Sequence, residues 1–462
     1  MALSSIPFLF GALPPFLLLY FFSKPKLRIY EIFAFSLWFY YVNDPHHVLH
    51  ILVIFAVHYV LSMIMERSIP FVRKTALIIG IVGDVGILFF YKYLSFFTQS
   101  LNRIFKLHVQ VEDHGMIVGL SFLTFTLISY LVDVYRKDVR VPGNPVQFAD
   151  YILLFPKILM GPIVRYADVS DSLNEPRIKA DDIGPGAKRF MAGFCQKVIL
   201  ADNLALLVSQ SGTGDVAHAT VAALWLGSIA YSLQLFFDFS GYSDMAIGLG
   251  RMLGFRFPEN FNYPYIAVSV TDFWRRWHIS LSTWFRDYVY IPMGGNRKGL
   301  RRQLFNIAVV WLLTGFWHGA SWNFILWGIL YGIVLMLEKL GLLKILNHLP
   351  KWFGRIYTLL VVLIAWVLFA NTDLNASLRY IRMLFGSTGM FADAMTLYYL
   401  RDHFLLFFVG ILACTPIAQT RFNPLRHRYG RFLIPVLVPV ALLICTAFIV
   451  SSSYNPFLYF RF

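Results

Sequence analysis

Two histidines stand where proton-transfer chemistry could occur. His318 lies in WLLTGFWHGASWNFILWG, between two apolar runs, among Trp311, Trp317, Trp322 and Trp327, with Gly315, Gly319 and Ala320 beside it. An ionisable group at membrane depth costs about 2.5–3.5 kcal/mol on insertion scales, so each one needs a reason. A neutral imidazole there can take a proton from a hydroxyl and later return it, the work of a general base. Read as one helix, the segment places Thr314 and Trp322 on the face of His318, at i−4 and i+4. The small neighbours leave room for a close approach of backbone or substrate. The same features also suit a structural histidine hydrogen-bonded between closely packed helices.

The second histidine, His278, lies in TDFWRRWHISLSTWFRDYVYIPMGGNRKGLRRQ, flanked by Trp274 and Ser282 at i±4. Arg275, Arg276 and Arg286, followed by Arg297, Lys298, Arg301 and Arg302, make a basic platform. Guanidinium groups so arranged can hold the phosphates of an anionic donor, or anchor the segment to anionic lipid headgroups. LQLFFDFSGYSDMAIGLGRMLGF sets Gln234, Asp238 and Asp244 in an apolar helix rich in small residues. Gln234 and Asp238 at i, i+4 can line a polar cavity, while the small residues suit tight helix packing. FPKILMGPIVRY, with Lys157, Gly161, Pro162 and Arg165, reads as a broken half-span. Asp84, Lys92 and Asp133 lie within or beside early apolar segments. Asp84, Asp133, Asp238 and His318 together would also suit the proton relay of a transporter or flippase, and a non-catalytic scaffold is a third reading. No GxSxG elbow, Walker motif or HExxH is present, which argues against a self-contained serine hydrolase, ATPase or zinc protease. Cys195, Cys414 and Cys445 are far apart, with no CxxC and no neighbouring histidine, so neither a metal site nor a disulfide framework is predicted.

These groups need a scaffold, and composition names its class. Of 462 residues, 58% are hydrophobic and 14% charged, against roughly 45–50% and about 25% in soluble domains. The mean hydropathy is +0.62. So little polar surface excludes a soluble globular enzyme, a disordered chain and a coiled coil. The formal charge of +15 comes from Lys and Arg in short runs between apolar segments, the positive-inside pattern rather than a nucleic-acid footprint. The first apolar stretch, 5–22, lacks a basic leader and reads as a retained helix. Further segments near 29–43, 46–65, 75–98 and 116–134 each approach the length that crosses ~30 Å of hydrocarbon. Lys24, Lys26 and Arg28, then Arg67, Arg73 and Lys74, then Arg136, Lys137 and Arg140 place the odd loops in the cytoplasm and the N-terminus outside it. Arg421, Arg426, Arg428 and Arg431 place the last loop there too. The stretch 260–303 is too charged to span and too aromatic for an ordinary loop, so it is expected to be interfacial or re-entrant. The expectation is an all-α polytopic protein forming a single membrane domain over 1–462. Within it, 1–115 holds N-terminal spans, 116–342 the chemical motifs and 343–462 C-terminal spans.

Taken together and in order, GLSFLTFTLISYLVDVYR, FPKILMGPIVRY, LQLFFDFSGYSDMAIGLGRMLGF, the RRWHISLS segment, TGFWHGASWNFILWG and the tail PFLYFRF resemble the membrane-bound O-acyltransferases. The similarity runs from about residue 116 to the C-terminus and is closest to the bacterial alginate O-acetylation branch. The resemblance implies a ring of roughly eleven transmembrane helices with re-entrant and interfacial helices around a thinned membrane centre. It implies that His318 is the catalytic histidine and His278 the second one. Asn323, Trp274 and Trp317 would orient the thioester or its oxyanion, and Arg275, Arg276 and Asp238 would belong to the donor site. It implies no bound cofactor, acetyl-CoA or another acyl thioester or acyl carrier as cosubstrate, and a secreted or periplasmic transferase as partner, in a bacterial inner membrane. After WVLF the family often has Arg where this chain has Ala370, which puts any role of that Arg here in doubt.

Overall fold

The structure, a computed structural model, describes residues 1–112, 115–210, 219–371, 373–387 and 389–451, without the side chains of 418–419, 422–429 and 431. The PFLYFRF tail and the side chains of Arg426, Arg428 and Arg431 therefore lie outside the described residues. Among the described residues every regular element is helical. Among the described residues, six helices are long and apolar enough to cross a membrane, and a seventh span results if Ala394–Asp402 and Phe404–Ala413, bent by 57°, count as one. Other apolar segments are shorter or broken. Trp322–Leu337 has 16 residues, about 24 Å at 1.5 Å per residue, and Pro7–Phe22 is likewise short.

The chain divides into two compact units, one formed by 1–190 with 243–259 and the other by 191–242 with 260–462. In the first, buried polar contacts join helices that apolar packing alone would not hold in lipid. His58 Nε2 meets Asp84 at 3.0 Å, and Lys92 Nζ donates to Ser121 Oγ at 3.0 Å. The FPKILMG segment forms only a four-residue helix, Phe155–Ile158, as an interrupted half-span should.

The second unit carries both chemical histidines. Two antiparallel helices, Gly299–His318 and Trp322–Leu337, cross where Gly315 and Gly328 meet. A Cβ on Gly328 would stand 2.4 Å from the Trp311 carbonyl oxygen, and one on Gly315 2.5 Å from that of Phe324. Gly328→Ala should therefore force the pair apart and cost about 1–3 kcal/mol by overpacking, read as a lower melting temperature in detergent. Gly332→Ala, whose added carbon meets only the Trp311 Cβ at 3.3 Å, should cost clearly less; equal effects would refute this account of the crossing.

Two local expectations change. The helix stops at His318, with Gly319 and Ser321 extended, so Trp322 opens the next helix and is exposed rather than sharing the face of His318. Likewise His278 sits between two short helices, Val270–Trp274 and Ile279–Phe285, in a left-handed conformation (φ 45°), so Trp274 and Ser282 do not flank it on one helical face. Over 260–303 no helix is long enough to span, as expected for an interfacial or re-entrant stretch. Cys195 and Cys445, distant in sequence, bring their Sγ atoms to 3.7 Å as free thiols.

Candidate active site

His318 ends its helix inside a box of aromatic rings. Its ring centroid lies 4.9 Å from Trp317, 4.8 Å from Trp327 and 5.3 Å from Phe369. These edge-on contacts fix the imidazole plane and exclude bulk water from it. Thr314, one turn earlier, donates its hydroxyl to the Val310 carbonyl at 2.7 Å.

His278 is completely buried. A left-handed backbone at a non-glycine residue costs about 1–3 kcal/mol and persists only where the surroundings impose it. Asn260 does so here. Its carbonyl accepts from the Ile279 N–H at 2.9 Å, while its Oδ1 meets His278 Nδ1 at 3.2 Å and accepts from the Ser280 N–H and hydroxyl at 3.2 and 2.9 Å. An amide oxygen only accepts, so Nδ1 carries the proton and Nε2 the lone pair. Burial alone pushes the pKa of His278 down to about 3, which keeps this ring neutral at any physiological pH. Trp317 bridges the two histidines, 6.1 Å from His278 and 4.9 Å from His318 between ring centroids.

A cleft of about 660 Å³ approaches this pair, with Arg275, Arg286 and Lys339 among its lining residues. Ile279, Leu281, Ile307 and Val310 give it apolar walls, and Trp274, Trp311 and Thr314 also line it. One face follows the Gly299–His318 helix at Ile307, Val310, Trp311 and Thr314, so the cleft reaches within one helical turn of His318. The indole N–H of Trp274 is buried without a hydrogen-bond partner among the described residues.

Other expected residues are placed elsewhere. Asn323 is buried, and its amide N–H₂ donates to the Asn371 carbonyl at 2.8 Å and to Ser377 Oγ at 2.9 Å. Arg276 turns to Asp272 at 2.9 Å and to the Asn262 carbonyl, outside the cleft lining. Asp238 meets Lys197 Nζ at 2.7 Å, and Asp84 meets His58.

The motif order finds its counterpart in known proteins: the model of the membrane-bound O-acyltransferase family matches residues 118–378, a stretch that contains both histidines and the cleft. The chain belongs to that family. Among relatives, the probable alginate O-acetylase AlgI of Pseudomonas aeruginosa is 41% identical over 396 residues, covering 84% of this chain and 75% of that protein. The peptidoglycan O-acetyltransferase of Helicobacter pylori is 33% identical over 420 residues, covering 83% and 79%. The teichoic acid D-alanyltransferase of Bacillus subtilis is 33% identical over 254 residues, covering 52% and 61%. This membrane-bound O-acyltransferase is thus a multi-pass membrane enzyme.

Sequence reasoning passed over Asn260, Lys197 and Glu338. For the last two a signal existed: each is a charged residue inside an apolar run (FCQKVILA, LMLEKLGLL), where burial of charge demands a partner. Asn260 carried no such mark, because a polar residue in an aromatic loop is ordinary.

Proposed function

We propose that this O-acyltransferase moves an acetyl group from cytoplasmic acetyl-CoA to a hydroxyl outside the cytoplasm, on an exported polysaccharide or on a partner transferase. The observation that carries the reading is the cleft, which combines cationic side chains with apolar walls and ends one helical turn before His318. Phosphates suit the guanidinium groups of Arg275 and Arg286, and a thin apolar arm suits Ile279, Leu281 and Val310. His318 takes the proton of the acceptor hydroxyl, whose oxygen attacks the thioester carbonyl. The tetrahedral intermediate then expels the thiolate, which receives that proton from the imidazolium, leaving an ester and free CoA. Neutral His278 packs against Trp317 beside His318. The relatives' names, alginate, peptidoglycan and teichoic acid transferases, support an envelope or exported glycan as the acceptor. The loop charges favour an inner membrane with the N-terminus outside the cytoplasm.

Inside-out vesicles supplied with labelled acetyl-CoA should cleave the thioester and build a base-labile ester, whereas sealed right-side-out vesicles should not; the reverse would overturn the orientation. Arg275→Ala and Arg286→Ala should each raise the donor KM by about three- to tenfold with kcat little changed, as expected for lost contacts of a charged guest. An unchanged KM in both variants would remove the cleft from the donor path.

A further inference from the structure

Glu338 is a carboxylate buried in the C-terminal part of an apolar helical run, and nothing in the chemistry above uses it. Its hydrogen bonds all lead to other elements. Oε1 accepts from the Val270 N–H at 2.7 Å and from the Tyr357 hydroxyl at 3.2 Å. Oε2 accepts from the Thr271 N–H at 2.9 Å and from its hydroxyl at 2.6 Å. Those two N–H groups begin the short helix Val270–Trp274, whose own N-cap, Ser269, serves only the Asp272 N–H. The Glu338 carboxylate supplies acceptors to these N–H groups from 68 and 67 residues away.

What this helix carries gives the contact its meaning. Trp274 ends it and Arg275 follows, and both line the cleft. The Trp274 ring is pressed edge-on against Trp311 at 4.6 Å and Tyr331 at 5.0 Å. On the opposite side of the junction, Leu335 and Lys339, neighbours of Glu338, also line the cleft. A single side chain thus fastens two walls of the cleft to each other. Tyr357 adds a third element, and Gly354 lets it close in, since a Cβ there would stand 2.3 Å from the Val268 carbonyl oxygen.

We infer that Glu338 is a positioning residue for donor binding: its carboxylate joins the segment bearing Trp274 and Arg275 to the segment bearing Leu335 and Lys339, and so sets the width of the cleft. This rests on the cleft being the donor's entrance. Glutamine keeps the shape of the side chain but replaces one accepting oxygen with a donating amide NH₂, which then faces an N–H or hydroxyl donor. The full-length enzyme in detergent is assayed for thioester cleavage against acetyl-CoA concentration, and the dissociation constant of coenzyme A is measured by calorimetry.

Glu338→Gln should raise both the donor KM and the coenzyme A dissociation constant by about tenfold, with kcat of the folded fraction within about threefold of wild type. Thr271→Ala, which removes one of the four bonds, should give a smaller shift in the same direction, and it carries the test if the Gln variant does not accumulate. A merely structural role would lower the melting temperature and the yield while leaving both constants unchanged in the folded protein, and that result overturns the proposal. If Arg275→Ala weakens coenzyme A and Glu338→Gln does not, the positioning role falls and the donor entrance stands. If neither does, the entrance itself is wrong.

Discussion

His318→Ala should abolish acyl transfer, lowering kcat by about 10³–10⁴-fold, the upper range for removing a positioned general base. The donor KM should scarcely move, because the cleft wall along this helix ends at Thr314 and does not include His318. That split separates a chemical role from a packing role. The ring also fills space among Trp317, Trp327 and Phe369, so the variant should lose some stability. His318→Asn, closer in volume and unable to act as the base, should be equally inactive at nearer wild-type melting temperature. The measurement is transfer of labelled acetyl in inside-out vesicles at matched expression. Retention of a tenth of wild-type activity in either variant would sink the assignment. His278→Ala should fall between, since this ring touches Trp317 rather than the reacting atoms. Its pKa near 3 also means that any inflection of the rate between pH 5 and 8 belongs to another group.

The parts of this enzyme that the sequence announces are those whose chemistry is local. Tryptophans around WHG, arginines around RRWH and a hydropathy that no soluble protein can carry are all visible within short windows. They suffice for the family and for the helical class. What stays hidden depends on where chains turn and on what meets across long separations. Helical periodicity runs straight through Gly319–Ser321, yet the backbone leaves the helix there, with Gly319 and Ser321 extended, because the turn that reverses the chain precedes Trp322. It also runs through His278, whose left-handed backbone is imposed by Asn260 eighteen residues earlier. The cleft draws on segments 271–296, 303–314 and 335–339 at once, so no single motif contains it. Asn323 illustrates the opposite failure. Its place beside the WHG motif suggested the thioester, but its amide is committed to the Asn371 carbonyl and Ser377.

The ion triad around Lys197 separates folding from catalysis most sharply. Lys197 lies in a π-helical turn, Gln196–Ala201, and is 3% exposed. Its ammonium meets Asp238, 1% exposed, and Asp202, each at 2.7 Å. Helix Val221–Met252 approaches this turn closely, since a Cβ on Gly241 would stand 2.7 Å from the Gly193 carbonyl oxygen and 3.2 Å from the Lys197 backbone nitrogen. Such a pair adds little over apolar packing while intact, but removing one member leaves an uncompensated charge, worth about 3–5 kcal/mol. Lys197→Met should therefore lower the melting temperature in detergent steeply and cut the amount of protein in the membrane. Adding Asp238→Leu to it should recover a large share of that loss, a coupling that a double-mutant cycle measures directly. Per folded molecule, transfer activity should stay near wild type in both, because neither residue lines the cleft or touches the rings around His318. The opposite pattern, full stability with a raised donor KM, would return Asp238 to the donor site. The distinction matters because intramembrane charge is by default a sign of function, and here Lys197, Asp202 and Asp238 satisfy one another before any substrate is needed.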